Sequence, residues 1–314
     1  MTTRRRFLTI IAGGGAFAAM PPVIGRNLFG APAQAGTGVG TAPRQWRGLA
    51  LGADARIVLD HQNADELIED AVVEIRRLEA IFSLFNANSQ LSRLNRDGAL
   101  SSPAFELIEL LSICSGVHAR TKGAFDPTVQ SLWKLYASEY SAGRAPAKTQ
   151  VNDALAQTGW RHVAFSPSEV SFRRQNVALT LNGIAQGYIA DRVTGFLRRN
   201  GVRDVLVNAG EISALGHAPD GKPWQVSFAG NNQKSIALSD TAIATSAPMG
   251  TAFDDKKTAG HILDPRNGKP GGLWKSVSVI SRSAAEADGL STGFCLMNAA
   301  EIAAAQGDTA VILR

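Results

Sequence analysis

Apolar residues recur along this chain with two alternating periods, and the switches between them outline its elements. Residues 48–59 alternate like a pair of strands, ending in Ala55-Arg56-Ile57-Val58-Leu59. From about Ala64 the spacing becomes helical: Leu67, Ile68, Ala71, Val72, Ile75, Leu78 and Ile81 share one face. Asn63, with Glu66 three positions on, offers that helix a cap. Ser102-Pro103 has the order of a cap and a first-turn proline, so a second helix is expected to start there and carry Leu107, Ile108, Leu110 and Leu111. Helical spacing returns over about 128–140 and 150–158, where Gly159 stops it. Strand-like runs follow at 163–165, 170–173 and 177–181. A helix is predicted over 183–200, with Ile184, Ile189, Val193, Phe196 and Leu197 inward and Gly201 at its end. Strands recur at 205–208, 224–228, 235–238, 242–245 and 277–281. Short helices at about 284–297 and 299–306 and a strand at 310–313 finish the chain. Helices and strands intermix without a regular strand–helix–strand period and without an internal repeat. That predicts an α+β fold, with mixed or antiparallel sheets and packed helices, rather than a doubly wound sheet.

The first 35 residues read differently from the rest. Thr3-Arg4-Arg5-Arg6-Phe7-Leu8 is a twin-arginine signature, a mild apolar run follows from Leu8 to Met20, and Ala33-Gln34-Ala35 has the form of a cleavage site. A basic tail before a short buried helix is the competing reading. Charge, apolar run and cleavage site in this order favour export to the periplasm by the twin-arginine route, which carries folded proteins. Residues 36–45 read as a flexible leader and 46–314 as the folded domain. Export changes the charge argument. Arg4, Arg5, Arg6 and Arg26 are the only charges before position 36, so the formal net charge of +5 falls to +1 without them. Nothing then argues for nucleic acid. The 314 residues, 45% of them hydrophobic, suffice for a sizeable core. No stretch reaches the roughly 18 apolar residues of a membrane span. Cys114 and Cys295 sit in apolar helical contexts and read as two buried thiols.

Several short motifs carry candidate chemistry. Asp288 and Thr292 stand four residues apart, so on a helix their oxygens reach one point, and hard oxygens converging there suit Mg²⁺. An aspartate with a threonine at this spacing is also common in ordinary helices. Gly183-Ile184-Ala185-Gln186-Gly187 is a strand-to-helix turn whose free amides attract anions. It lacks the spacing of a dinucleotide fingerprint or a P-loop, and its glycines also permit close packing. Gly123-Ala124-Phe125-Asp126-Pro127 is a loop between helices in which Asp126 reads first as a cap. Asn208-Ala209-Gly210-Glu211 is a tight turn, and Thr245-Ser246 ends a strand. His261 precedes the turn Asp264-Pro265-Arg266-Asn267-Gly268, where Asp264 and Arg266 offer a surface ion pair of little weight.

Taken in order, with Phe82-Ser83-Leu84-Phe85, Ser89, Leu94-Asn95, Tyr188 and Asp191 added, these motifs resemble the FAD:protein FMN transferase family, known as the ApbE family. The likeness runs from about residue 48 to the end. The resemblance implies an Mg²⁺-dependent enzyme of the cell envelope. Such an enzyme splits the pyrophosphate of FAD, joins FMN to a threonine or serine of a target flavoprotein, and releases AMP. By position, the metal ligands would be the carbonyl of Ala185, Asp288 and Thr292. FAD contacts would include Leu51, Phe85, Ala124, Phe125, Asp126 and Gln186. His261 would be the general base, with Asp288 the other catalytic residue. Three positions depart from the family pattern: Gln186 where Lys or Glu is usual, Thr180 for an aspartate, and Ala247 for a glycine. They keep two alternatives open, a flavin-binding accessory or electron carrier, and an FAD pyrophosphatase giving FMN and AMP. Twin-arginine export further resembles the branch serving nitrous-oxide reductase maturation, whose target is a membrane flavoprotein.

Overall fold

The computed structural model describes residues 43–227 and 235–314. The expected export signal lies outside the described residues, as does most of the leader. The first strand begins at Arg44, two residues inside the stretch expected to be leader. The fold is α+β, and every strand pairing in it is antiparallel.

Seven strands form the main sheet: β1 (Arg44–Ala50), β2 (Ala53–Leu59), β6 (Val205–Asn208), β7 (Ile212–Leu215), β10 (Thr241–Ser246), β11 (Val277–Ser281) and β12 (Ala310–Leu313), side by side in that order. β3 (Ala99–Ser101), β4 (Val163–Phe165) and β5 (Glu169–Phe172) form a small second sheet, and β8 (Trp224–Ser227) pairs with β9 (Ser235–Leu238). The period of two along each main strand splits the side chains between two cores. Ile57 and Leu59, Val205 and Val207, Ala242 and Ala244, Val277 and Val279 enter the large core under the helices. Val58, Leu206 and Ile243, pointing the other way, pack with Trp224 and Leu238 of the β8–β9 hairpin.

The helices are α1 (Ala64–Phe82), α2 (Gln90–Asp97), α3 (Phe105–Arg120), α4 (Gln130–Ser141), α5 (Lys148–Ala156), α6 (Ala185–Arg199), α7 (Ala284–Phe294) and α8 (Ala299–Ala305). The predicted stripe of α1 is buried, with Val72 at its edge. Asn63 makes no side-chain cap, so the expected capping box is absent. α3 starts at Phe105, later than Ser102-Pro103 suggested; Ser102 lies in the left-handed region at φ 50°. α2 escaped the periodicity because only Leu91 and Leu94 are buried on it. It is defined by its ends, where Ser89 accepts from the Ser92 amide at 3.0 Å and Gly98 closes it at φ 76°.

The segment 177–181 is buried as expected but is not a strand. A side chain takes the place of a strand neighbour: the Asn95 amide accepts from Leu179 N at 2.7 Å and donates to Leu179 O at 2.8 Å. Hydrogen bonds satisfied this way leave the peptide free to turn into α6 four residues later. β7 follows the Asn208–Glu211 turn directly, in a hairpin made by Gly210 at φ 100°. Both cysteines are buried and unpaired, as predicted. No helix among the described residues is long and apolar enough to cross a membrane.

α6 and α7 cross closely on the large core. A Cβ at Gly187 would stand 2.1 Å from the Ala284 carbonyl oxygen, inside any real contact. Gly187→Ala should therefore destabilise the fold by about 1–3 kcal/mol or more, because backbone rather than a movable side chain must shift. Denaturant unfolding measures this, and a variant as stable as the parent would show that the helices separate at no cost.

Candidate active site at the junction of two helices

The α6–α7 junction brings the two predicted metal-binding motifs together. Asp288, 3% exposed, accepts a hydrogen bond through Oδ2 from the Gly187 amide in the first turn of α6, at 3.1 Å. The expectation of free amides at this helix start is thus corrected for two of them, Ala185 and Gly187. Ala185 N is already bonded to the Leu181 carbonyl at 2.7 Å, and Gly187 N is taken by the Asp288 carboxyl itself. Thr292, one turn further along α7, stands beside Gly183: a Cβ there would lie 2.9 Å from its Oγ1. Ala185 belongs to that same first turn of α6, between these two contacts.

Other elements hold α7 in place. Asp191 on α6 caps it, accepting from Ala284 N at 2.8 Å, Ala285 N at 3.0 Å and Ser283 Oγ at 2.7 Å. Ser246, at the end of β10, shares hydrogen bonds with Ser291 Oγ at 2.8 Å and Thr292 Oγ1 at 3.1 Å. Its neighbour Thr245 gives its amide to Glu211 Oε2 at 3.0 Å. Glu211 is the group that motif reading missed: it read as part of a turn, yet its carboxylate shares the cavity with Asp288. Burial pushes Glu211 well above the usual carboxylate range, and the Asp288 charge adds to that. Burial pushes Asp288 up to about 7 against the opposing Gly187 hydrogen bond. Two carboxyl groups thus share a desolvated corner, with no cation bonded to either among the described residues. Those carboxyls, with the Thr292 hydroxyl one turn along α7, are hard-oxygen donors that fit a divalent cation.

The corner is the floor of a cavity of about 530 Å³, the size of a small-molecule site. Phe85, Ala124, Phe125, Asp126, Gln186 and His261 line it, together with Asp288 and Thr292. Leu51 does not: it sits at φ 48° in the β1–β2 turn, its amide bonded to Glu79. Phe85 is half exposed at the cavity's edge. Asp126 has the cap role first read for it, accepting from Thr128 N and Oγ1 at 2.9 and 2.6 Å and from Trp160 N at 2.9 Å. Gln186 is 4% exposed and lies over Gly210, where a Cβ would come within 2.5 Å of its amide. That close approach, with φ at 100°, explains the glycine.

His261 reaches the cavity from the loop after β10. Its Nδ1 lies 3.0 Å from the Thr251 carbonyl oxygen. A carbonyl only accepts, so Nδ1 carries the ring proton and Nε2 of the neutral ring is the basic nitrogen. Burial holds His261 below its ordinary pKa, against the carbonyls of Thr251 and Pro248, so the ring is neutral at neutral pH. The turn behind it is more than a surface pair. Asp264 is buried and takes both Arg266 Nε and Nη2 at 2.9 Å, while Nη2 also reaches the Leu296 carbonyl at 2.7 Å beyond α7. This ties the histidine loop to the helix that carries Asp288. Trp133 and Lys134 of α4 also line the cavity and were read only as part of a helix. With Val129 and Gln130 they form one stripe at helical spacing, a pattern legible only once a cavity is known to face it.

An α+β scaffold that gathers buried carboxylates, hydroxyls and a neutral histidine onto one ligand-sized cavity has the build of an enzyme. The sequence model of the ApbE family matches residues 51–313. A relative from Chlamydia pneumoniae, named FAD:protein FMN transferase, is 30% identical over 225 residues, covering 69% of this chain and 71% of its own. A variant of the flavin transferase ApbE from Vibrio cholerae superposes with a TM-score of 0.77 at 25% identity, covering 87% of this chain and 93% of its own. The apo flavinyl transferase ApbE of Pseudomonas stutzeri gives 0.76 at 25% identity, covering 87% and 93%. The chain belongs to the ApbE family.

The carboxylate corner generates a pH test. In the metal-free protein Asp288 keeps its proton to about pH 7 when folded, and loses it near pH ~4 when unfolded. The folded state binds the extra proton between these limits. The stability this confers is therefore complete below about pH 4 and is lost as pH rises through 7. The melting temperature without divalent cation should fall across this window, and less steeply in Asp288→Asn. Parallel slopes in the two proteins would refute the assignment.

Proposed function

We propose that this protein transfers FMN from FAD to a threonine or serine hydroxyl of a target flavoprotein, with Mg²⁺ bound and AMP released. The observation that carries the reading is the placement of the Asp288–Thr292 corner and His261 on one cavity large enough for a flavin. The names of its relatives support the transfer of FMN from FAD to a protein. Asp288, Thr292 Oγ1 and the Ala185 carbonyl are the groups that would hold the ion. The chemistry that Mg²⁺ supplies there is neutralisation of charge on the pyrophosphate oxygens.

The chain's own residues do the rest. Phe85 and Phe125 offer apolar surface to the flavin ring, and the enclosed floor keeps water from the phosphorus. Nε2 of neutral His261 takes the proton of the acceptor hydroxyl. The hydroxyl oxygen bonds to the flavin-side phosphorus as the bond from that phosphorus to the bridging oxygen breaks, and AMP departs with the bridging oxygen. Ser246 holds Thr292, and Asp191 holds the helix start, so neither ligand has to be ordered during turnover. The neutral Gln186 supports the rival reading of a flavin binder with little transferase activity.

The twin-arginine pattern of residues 1–35 supports a periplasmic site of action, and with it a flavoprotein target accessible from that side of the membrane. The target of a nitrous-oxide reductase maturation branch would be such a protein.

With FAD, Mg²⁺ and an acceptor protein carrying a suitable threonine, the parent should release AMP and leave a fluorescent acceptor band in a denaturing gel. Asp288→Ala should abolish the Mg²⁺-dependent turnover, and His261→Ala should slow acceptor labelling about 10²–10⁴-fold. AMP without labelled acceptor would identify a pyrophosphatase. Tight FAD binding without AMP would identify a carrier.

A further inference from the structure

Apart from the Mg²⁺ proposed above, the cavity offers little positive charge to the ligand proposed for it. Three carboxylates line it, those of Asp126, Glu211 and Asp288, while a flavin dinucleotide brings a doubly charged pyrophosphate. His261 is neutral, and Gln186 carries no charge. Two permanent cations line the same space, Arg96 and Lys134. Arg96 is committed: Nε and Nη2 bind the Asp97 carboxylate at 2.8 and 2.9 Å, and Nη1 binds the Ala87 carbonyl at 3.2 Å.

Lys134 has no hydrogen-bond or ion-pair partner among the described residues. It stands on the α4 stripe next to Trp133, whose ring is braced edge-on by Phe253 with centroids 5.4 Å apart. A fixed aromatic wall with a free ammonium beside it suits a ligand having an apolar ring and an anionic group. The ammonium is already partly desolvated, which lowers its pKa and leaves a cost that an arriving anion offsets.

We propose that Lys134 is an anion-binding residue of this cavity and pairs with a phosphate of the dinucleotide, supplying the positive charge that Gln186 does not. This rests on the flavin-transfer reading above and adds to it a specificity-determining residue on α4.

The test is binding, without turnover, of FAD, FMN, AMP and riboflavin to the parent, Lys134→Met and Lys134→Arg proteins in the presence of Mg²⁺. Flavin fluorescence reads the three flavins and calorimetry reads AMP. Lys134 is open to solvent, so the variants should fold, and their melting temperatures check this. Lys134→Met should bind FAD about tenfold to a hundredfold more weakly, with riboflavin unchanged and Lys134→Arg close to the parent. Whichever of FMN and AMP shares the loss identifies the phosphate concerned. Equal losses for FAD and riboflavin would mean that Lys134 serves the flavin ring or the packing, and would overturn the proposal. So would unchanged FAD affinity in Lys134→Met while the parent binds FAD. A parent that binds none of the four would instead overturn the functional reading, and this inference with it.

Discussion

Helices α6 and α7 meet with the backbone of one against Gly187 of the other, and that contact sets the geometry of everything above it. Each helix also secures the other's start. Asp191 of α6 caps the amides of Ala284 and Ala285, while Asp288 of α7 takes the Gly187 amide. Two helices a hundred residues apart in sequence are thereby locked in register by reciprocal carboxyl–amide hydrogen bonds. Any side chain at 187 would force them apart and withdraw Asp288 and Thr292 from the turn that carries Ala185. β10 completes the arrangement from below, through the Ser246 hydroxyl on Thr292 and the Thr245 amide on Glu211.

The same junction creates an electrostatic problem. Desolvated carboxylates such as Asp288 and Glu211 are costly to ionise unless a partner arrives, and no cation is bonded to them among the described residues. In the absence of a cation the pair holds protons. A divalent ion reverses this logic, because the ligands then gain more from coordination than they lose to burial. His261 on the facing loop is held neutral by burial, the state a proton acceptor requires.

Much of this was legible in the residues, for identifiable reasons. The α1 stripe, the β6 and β11 strands and the α7 helix carry their period in full. The order of short motifs, none decisive by itself, led to the family that the comparisons bear out. What stayed hidden depends on contacts distant in sequence. Asn95 standing in for a strand neighbour of Leu179 cannot be read from an apolar run, so 177–181 looked like a strand. α2 has too few buried positions to show a period. Glu211 looked like a turn residue because its burial is imposed by β10 and α7. Asp264 and Arg266 looked like a weak surface pair, whereas burial and the Leu296 carbonyl make them an anchor. Leu51, carried over by position, is not among the residues lining the cavity; its amide bonds Glu79 in the β1–β2 turn.

The divalent cation proposed above would sit where α6 and α7 cross, held by Asp288, Thr292 and the Ala185 carbonyl. Crystals of the protein soaked in Mn²⁺ with FAD, measured for anomalous scattering, test it directly. A strong peak within coordination distance of those three oxygens is expected, lost in Asp288→Ala. A well-ordered FAD in the cavity with no peak at the crossing, or a peak held by other residues, would contradict it.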